Sequence, residues 1–573
     1  MTPQEIRDKI IEVVLENGGH LASSLGAVEI AVALSEVFDP YRDRVVWDVG
    51  HQAYAWKLLT DRGGKTFESL RKLDGMAPFP NPVESGADAA VAGHAGVALS
   101  VAAGLAAARD RKGSDERVVA VIGDASIVNG TSFEALNNLA AATSRVIVVL
   151  NDNEMSISRP VGSFAKLLGK LISSVGYNRV KTAAESLGHR MGLTFLRGIY
   201  HRIESRIKSW FLGNAFFEKF GLRYIGPVDG HDLAALVAAF TVARDDKRSV
   251  LVHVVTRKGK GYQPAEDDPT AYHGVSGGAS TRPTAPKKEG WSEVFGKALS
   301  ELARRDARIV ALTAGMRDGT GLSPFAAEFP GRFFDVGISE GHLVAFAAGL
   351  AAGGMRPVVA VYSTFLQRAV DQVMHDVCIS NLPVVFCVDR AGVVGQDGPT
   401  HQGVFDVAML RCLPNLVLAQ PCDEAEMNRL LAEALERGGP TIVRYPRGAP
   451  PPPMEVPPGG LAAAVARPEA HIQIWATGDM LQKALDVASR IGAGVVYARY
   501  IKPFDAELLA RQRAAGCRIV SLENGSAAGG FGEAIGADLR FGWPDRFIPH
   551  GKVDELERRF GLDPDSIAEA ING

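Results

Sequence analysis

Short, unbroken runs of valine and isoleucine recur along this chain of 573 residues, and helix-length segments separate them. Runs that are apolar at every position are typical of parallel strands with both faces covered by helices. The alternation therefore predicts α/β domains with doubly wound parallel sheets. The predicted strands are residues 118–122, 146–150, 250–255, 358–361, 384–388, 472–475 and 519–522.

Two segments without apolar periodicity divide the chain. Residues 277–290 (GGASTRPTAPKKEG) are rich in glycine, proline and lysine, and residues 448–460 (GAPPPPMEVPPGG) are dense in proline. Both compositions are typical of linkers between domains. We therefore predict three domains, which span residues 1–276, 290–448 and 461–573.

Charge and composition exclude several classes of protein. Lys and Arg total 62 against 65 Asp and Glu, so no overall basic field points to a nucleic-acid partner. The N-terminus lacks the apolar region of a secretory signal, and the most apolar stretches are short enough to be buried helices, which predicts no membrane association. The five cysteines form no CxxC pair, which favours a reducing, cytoplasmic location.

One local stretch departs from this neutral balance. Residues 166–223 hold far more Lys and Arg than Asp and Glu, with aromatic residues interleaved. Such a composition is also found in segments that contact RNA or anionic membranes.

Polar residues follow the first two predicted strands, as Gly123-Asp124 and as Asn151-Asp152-Asn153. Ligands of parallel α/β sheets bind beyond the carboxyl ends of the strands. Mg²⁺ prefers oxygen ligands, and the Asp124 carboxylate, the Asn153 amide and the Met155 backbone carbonyl would supply three. We predict that they hold Mg²⁺ together with a diphosphate. The alternative is that Asp124 only caps a helix.

Several segments resemble the thiamine-diphosphate enzymes of the transketolase group, and specifically the family of 1-deoxy-D-xylulose-5-phosphate synthases. The segments are residues 19–26 (GHLASSLG), 47–54 (WDVGHQAY), 151–158 (NDNEMSIS), 224–232 (YIGPVDGHD), 256–262 (TRKGKGY), 335–342 (DVGISEGH), 362–368 (YSTFLQR), 389–403 (DRAGVVGQDGPTHQG) and 444–448 (RYPRG). Residues 389–403 best distinguish the synthases from ordinary transketolases. The resemblance implies three doubly wound domains of the transketolase-like thiamine-diphosphate-binding fold, Mg²⁺ as second cofactor, and a homodimer. It also implies that residues 166–223 form a mobile segment of the first domain.

The resemblance further implies roles for individual residues. Catalytic roles fall on Glu340, His20, His51, His401 and Asp397. Cofactor binding falls on His51, Gly93, His94, Ala95, Gly123, Asp124, Ala125, Ser126, Asn153, Met155, Ile157, Lys258, His273, Glu340 and Phe365. Substrate binding falls on Tyr362, Arg368, Asp397, His401 and Arg447, with the two arginines on the acceptor's phosphate because a guanidinium donates two hydrogen bonds at once.

Glu340 lies in an apolar helical context, where burial would favour its protonated form and a hydrogen bond to the cofactor's aminopyrimidine. The alternative is a glutamate that only interacts with the dipole of its helix.

The implied reaction joins pyruvate and D-glyceraldehyde 3-phosphate into 1-deoxy-D-xylulose 5-phosphate and CO₂. It is the first step of the non-mevalonate isoprenoid pathway and also feeds thiamine and pyridoxal biosynthesis. The chain departs from the family's pattern at Ala125, at residues 93–98 (GHAGVA) and at Gly341. Two alternatives stay open: a divergent thiamine-diphosphate-dependent paralogue, transketolase-like or another 2-oxo-acid carboligase, and a non-catalytic binding protein of this fold.

Overall fold

The predicted parallel strands are present in a computed structural model, where they belong to the sheets of two units. The structure describes residues 1–60, 66–143, 145–153, 214–278, 288–456, 462–468 and 470–573. One unit comprises Met1–Leu70 and Gly75–Arg282, and the other comprises Arg71–Asp74 and Pro283–Gly573. The boundary after Arg282 falls inside the first predicted linker.

The first unit contains a five-stranded sheet in which every neighbouring pair is parallel, in the order β2-β3-β4-β6-β5. A two-stranded antiparallel ladder joins β1 to β7. The strands are β1 (Gly18–Gly19), β2 (Arg44–Trp47), β3 (Val118–Gly123), β4 (Ile147–Asp152), β5 (Arg223–Asp229), β6 (Val250–Val255) and β7 (Val275–Ser276).

Helices cover this sheet, and the apolar side chains of its central strands are buried. The described helices of the unit are Pro3–Asn17, Leu21–Gly26, Val28–Val37, Tyr54–Leu59, Ala98–Lys112, Asp124–Ile127, Gly130–Ala142, Asn214–Lys219, Leu233–Asp245 and Gln263–Asp267, with a 3₁₀ turn at Phe67–Ser69.

The second unit contains a seven-stranded sheet in the order β17-β12-β13-β11-β10-β8-β9 and a five-stranded sheet in the order β14-β16-β15-β18-β19. Its strands are β8 (Ile309–Thr313), β9 (Phe333–Asp335), β10 (Arg356–Tyr362), β11 (Val385–Asp389), β12 (Val417–Ala419), β13 (Thr441–Arg444), β14 (Ala464–Arg467), β15 (Ile472–Ala476), β16 (Gly494–Tyr497), β17 (Tyr500–Lys502), β18 (Arg518–Ser526) and β19 (Leu539–Trp543).

Its described α-helices are Trp291–Arg305, Ser323–Glu328, Glu340–Ala352, Ser363–Leu366, Val370–Gln372, Asp406–Leu410, Glu424–Glu436, Met480–Ile491, Ala506–Ala514, Phe531–Ala534, Val553–Arg559 and Pro564–Asn572. A π-helical turn lies at Val373–Cys378, and 3₁₀ turns lie at Pro330–Arg332, Gln367–Ala369 and Gly398–Thr400. In the described ranges, no helix has the length and hydrophobicity to cross a bilayer.

The seven-stranded sheet takes one edge strand from the C-terminal part of the chain. β17 pairs antiparallel with β12, whereas the other neighbouring pairs of this sheet are parallel. The second predicted linker therefore does not divide the chain into separate sheets, because residues on both sides of it complete the same one.

Candidate active site

The carboxyl ends of β3 and β4 place the predicted cation ligands at one edge of the first unit's sheet. The two strands are paired in register up to Gly123 and Asn151, so Asp124 and Asn153 follow neighbouring strand ends. Asn151 and Asp152 belong to β4 itself, which runs two residues beyond its predicted end. The extension arises because β4 continues its pairing with β6 through Asp152.

Asp124 is buried, and its surroundings favour a cation. Burial raises the pKa of its carboxyl group, the negative charge of Asp152 raises it further, and the ammonium group of Lys258 opposes both effects. The Asn153 Oδ1 atom is buried without a hydrogen-bond partner. A divalent cation would pair with this oxygen and neutralise the repelling carboxylates, so the donor set fits Mg²⁺. Among the described residues, no three His, Cys, Asp or Glu side chains form a metal cluster by themselves.

Lys258 lies on the segment that follows β6, and a set of contacts fixes this segment. The backbone N–H of Arg257 donates to His231 Nε2 over 2.9 Å, and His231 Nδ1 contacts Glu29 Oε2 at 3.1 Å. The Gly259 N–H donates to the Ala22 carbonyl over 2.8 Å. Lys258 is itself buried, and burial lowers the pKa of its amine. Such a buried cation suits a diphosphate, which would replace the water that it has lost.

Three predicted histidines form a triangle in the first unit. The ring centroids of His20, His51 and His273 lie 5.6 to 5.9 Å apart, and Phe79 packs on His20 with a centroid distance of 5.7 Å. Burial lowers the pKa of His273 well below its ordinary value, and the positive charges of His20 and Lys258 lower it further. Its buried Nδ1 has no hydrogen-bond partner. His273 is therefore neutral, with a ring nitrogen available to a ligand.

Residues 93–98, where the sequence departs from the family's pattern, are held by Asp48, which the sequence did not mark as a candidate. The carboxylate of Asp48 accepts hydrogen bonds of 2.9 to 3.1 Å from the backbone N–H groups of Gly96, Val97 and Ala98. Gly96 has a φ of +86°, and a β-carbon there would come within 2.6 Å of the Asn129 side chain. Asp48 thus caps the helix that follows this segment, and the glycine is required for the close approach.

The other predicted residues of this loop region lie at the same edge. Gly93 and Ala95 are buried and His94 is half-buried. Gly123 ends β3, and Ala125 and Ser126 lie in the short helix Asp124–Ile127. The carbonyl of Ser126 accepts a hydrogen bond of 2.9 Å from Ser132. Met155 and Ile157, and most of segment 166–223, lie outside the described residues.

In the second unit, Glu340 is the first residue of the helix Glu340–Ala352 and is buried. Burial raises the pKa of its carboxyl group, while Arg368, with Nη1 at 3.4 Å from Oε2, lowers it. Burial outweighs the arginine, so the pKa of Glu340 lies above that of an exposed glutamate and its protonated form is easier to reach. Arg368 was predicted as a phosphate ligand, and the structure places it against Glu340.

The rings of Tyr362 and His401 pack against Phe365. Tyr362 stacks on Phe365 with centroids 5.7 Å apart, and His401 meets the same ring edge-on at 5.6 Å. The guanidinium carbon of Arg390 lies 3.8 Å from the centre of the Tyr362 ring. The structure therefore brings Tyr362, Phe365 and His401 together, and Arg390 lies against the same group of rings.

Two arginines meet at Asp397. Arg71 Nη1 donates to Asp397 Oδ1 over 2.6 Å, and Arg447 Nη1 lies 3.9 Å from Asp397 Oδ2. The Arg447 side chain is 48% exposed, and partial desolvation lowers its pKa, as does the nearby charge of Arg390. Three guanidinium groups thus lie close enough to affect one another, an arrangement that an anion with several oxygens would stabilise.

Sequence reasoning missed Arg71 and Arg390. Both have left-handed backbone conformations, with φ of 68° and 59°. Residues other than glycine adopt this region rarely, and such strain is concentrated at functional sites. Arg390 directly follows β11, a position that could have marked it as a candidate. Arg71 precedes Asp397 by more than three hundred positions, and nothing near it in the sequence indicates the contact.

The comparisons with known proteins first define a class. Residues 287–452 match the transketolase pyrimidine-binding domain, and residues 461–567 match the transketolase C-terminal domain. A transketolase from Campylobacter jejuni aligns over 99% of this chain and 98% of its own, at 18% identity and a TM-score of 0.46. The domain matches and the doubly wound sheets make this a transketolase-like α/β protein.

The family follows from the first unit and from full-length relatives. Residues 2–256 match the family model described as 1-deoxy-D-xylulose-5-phosphate synthase. A protein of that name from Geobacter metallireducens is 45% identical, covering 99% of this chain and 95% of its own. Another from Desulforudis audaxviator is 46% identical, covering 98% and 92%. The chain belongs to the 1-deoxy-D-xylulose-5-phosphate synthase family, whose members are thiamine-dependent transferases.

Proposed function

We propose that this chain condenses pyruvate with D-glyceraldehyde 3-phosphate, releasing CO₂ and forming 1-deoxy-D-xylulose 5-phosphate. The observation that supports this acceptor is the group of three guanidiniums, Arg71, Arg390 and Arg447, around Asp397. A phosphate monoester matches it in charge and in its number of acceptor oxygens. An acceptor aldehyde bound through its phosphate would lie beside Tyr362 and His401.

Residues suited to thiamine diphosphate fall into two groups. Asp124, Asn153 and Lys258 would hold Mg²⁺ and the diphosphate, and the buried Glu340 and the ring of Phe365 would hold the pyrimidine. The bound cofactor supplies a nucleophilic carbon and an electron sink that permits loss of CO₂ from a 2-oxo acid. A protonated Glu340 would donate its O–H to a ring nitrogen, which its raised pKa favours.

The histidines would handle protons during the condensation. Pyruvate loses its carboxylate as CO₂, its acetyl carbon forms a bond to the aldehyde carbon of the acceptor, and a proton neutralises the oxygen of that aldehyde. His401 contacts Phe365 and so would lie near the bond being formed. His273 is kept neutral and can accept a hydrogen bond, and the rings of His20 and His51 lie beside it.

A steady-state assay tests the proposal. The protein with thiamine diphosphate, Mg²⁺, pyruvate and D-glyceraldehyde 3-phosphate should release one CO₂ for each 1-deoxy-D-xylulose 5-phosphate formed. Transfer of a two-carbon unit between sugar phosphates without CO₂ would instead indicate a transketolase-like paralogue. A folded protein that shows no calorimetric binding of thiamine diphosphate would indicate a non-catalytic member of the fold.

The wider setting of the reaction is also part of the proposal. The product would enter the non-mevalonate isoprenoid pathway and supply thiamine and pyridoxal biosynthesis. We infer a cytoplasmic homodimer, as the family resemblance implies, in which residues 290–448 and 461–573 serve as the pyrimidine-binding and C-terminal domains. Sedimentation velocity at several protein concentrations tests the dimer.

A further inference from the structure

Three buried polar side chains contact one another in a row, which ends at the sheet edge that carries Asp124 and Asn153. Tyr224 on β5, His253 on β6 and Asp152 on β4 lie on three neighbouring strands. The Tyr224 hydroxyl lies 2.7 Å from His253 Nδ1, and His253 Nε2 lies 3.0 Å from Asp152 Oδ2. His253 is fully buried and Asp152 is 2% exposed. None of the roles described above uses His253 or Tyr224.

With an ionised Asp152 and a neutral His253, these groups can form the two hydrogen bonds in one direction only. An ionised carboxylate only accepts, so His253 Nε2–H donates to Asp152. A neutral imidazole then accepts at Nδ1, and the Tyr224 hydroxyl is the donor. Every polar atom of the histidine ring is therefore satisfied inside the protein, with one tautomer selected.

The contact with His253 determines how the Asp152 carboxylate is oriented. Its carboxylate is close enough to Asp124 to raise that residue's pKa, so it borders the cation site. A carboxylate free to rotate could enter the site and displace the neutral amide of Asn153 as ligand. The contact with His253 holds it toward β6 instead.

Asn151, which precedes Asp152, is also held by side-chain hydrogen bonds. Asn151 Nδ2 donates to Gln52 over 2.8 Å, and Thr256 donates to Asn151 Oδ1 over 2.6 Å. The Thr256 N–H also donates to the backbone carbonyl of Asp152 over 2.9 Å. Asn151 and Asp152 are thus held by contacts inside the protein, while Asn153 Oδ1 is buried without a partner.

We propose that His253, supported by Tyr224, is a positioning residue for the divalent-cation site: it fixes Asp152 so that Asn153 presents its amide oxygen beside Asp124. The inference rests on the proposed binding of Mg²⁺ and thiamine diphosphate. Groups that orient metal ligands typically contribute about 10- to 100-fold to metal affinity.

The test measures cofactor binding without turnover. Calorimetric titration with thiamine diphosphate at a series of Mg²⁺ concentrations gives the Mg²⁺ needed for half-maximal binding. His253→Leu should raise this concentration about 10- to 100-fold. His253→Gln retains an N–H for Asp152 and should stay within about threefold of the unchanged protein. Tyr224→Phe, which removes only the outer hydrogen bond, should fall between them.

Val252→Ala is the matched control, since it removes buried volume from β6 without touching Asp152. It should lower the Tm and leave the Mg²⁺ requirement unchanged. The inference is overturned if His253→Leu lowers only the Tm, or if His253→Gln is as impaired as His253→Leu. If the unchanged protein itself shows no Mg²⁺-dependent binding, the proposed function fails instead.

Discussion

At the scale of single residues, Glu340 combines burial with a neighbouring cation, and these act on its pKa in opposite directions. Arg368 alone would keep the carboxyl group ionised, yet burial prevails. The residue can therefore hold a proton while Arg368 limits how tightly it does so. A proton held in this way can be given up to a ligand and recovered during one cycle.

Replacing this carboxyl group should affect turnover more than binding. Glu340→Gln keeps the size and one N–H donor but cannot exchange a proton, so we expect kcat to fall roughly 10²- to 10⁴-fold. The calorimetric affinity for thiamine diphosphate should change much less. Glu328→Gln is the control, since Glu328 is partly exposed and pairs with Arg304. Wild-type turnover in Glu340→Gln would contradict the role.

Arg390 should distinguish phosphorylated from unphosphorylated acceptors. Hydrogen bonds to charged groups contribute about 1.5 to 3 kcal/mol, so Arg390→Ala should raise the KM for D-glyceraldehyde 3-phosphate about 10- to 100-fold. The KM for D-glyceraldehyde should change little, because it carries no phosphate. Arg317→Ala, which removes a partly exposed arginine paired with its neighbour Asp318, serves as control. An equal loss with both acceptors would argue against phosphate binding.

At the scale of secondary-structure elements, the sequence predicted the strands, because a buried parallel strand is a continuous apolar run. All seven predicted strands form, and the polar residues expected at the ends of β3 and β4 lie there. The supporting contacts were not predictable in this way. Asp48 caps a helix fifty positions away, and His231 orients the segment of Lys258, because both depend on where the chain returns in space.

The end of β18 carries a buried carboxyl group that links stability to pH. Glu523 accepts 2.8 Å hydrogen bonds from the N–H groups of Phe531 and Gly532, yet burial raises its pKa from 4.5 to about 7. The folded state therefore binds this proton more tightly than the unfolded state. Its contribution to stability is complete below the unfolded pKa and is lost as the pH rises through 7.

Substitution should remove this part of the pH dependence. Between about pH 5 and pH 8, the free energy of unfolding should fall less in Glu523→Gln than in the unchanged protein. The two falls should differ by up to about 3 kcal/mol. Urea unfolding at several pH values measures the difference. Glu507→Gln, at an exposed position, should retain the full slope. An unchanged slope in Glu523→Gln would show that this carboxyl group titrates normally.

At the scale of the whole molecule, the middle and C-terminal parts of the second unit share buried structure. β17 completes the sheet of β12, and Arg444 donates to Asp406 on one side and to Asn524 on the other. The sequence predicted the proline-rich linker between these parts. It could not predict this shared structure, because a three-residue strand and a single buried arginine leave no periodic signal.

The two parts should therefore unfold together. Ile474→Ala removes buried volume from β15 and should cost roughly 2 to 5 kcal/mol. Native-state hydrogen exchange should show the same loss of protection in β11 as in β15, although β11 lies on the other side of the linker. Loss confined to the five-stranded sheet would indicate that the two parts unfold independently.

The edge strand β17 also bears on how the chain is made. During synthesis the ribosome releases β12 long before Tyr500–Lys502 has been translated. Until then the nascent polypeptide carries a strand edge with unpaired backbone groups, which other chains can pair with. We therefore expect slower translation of the intervening segment to lower the yield of native protein, and chaperones to raise it.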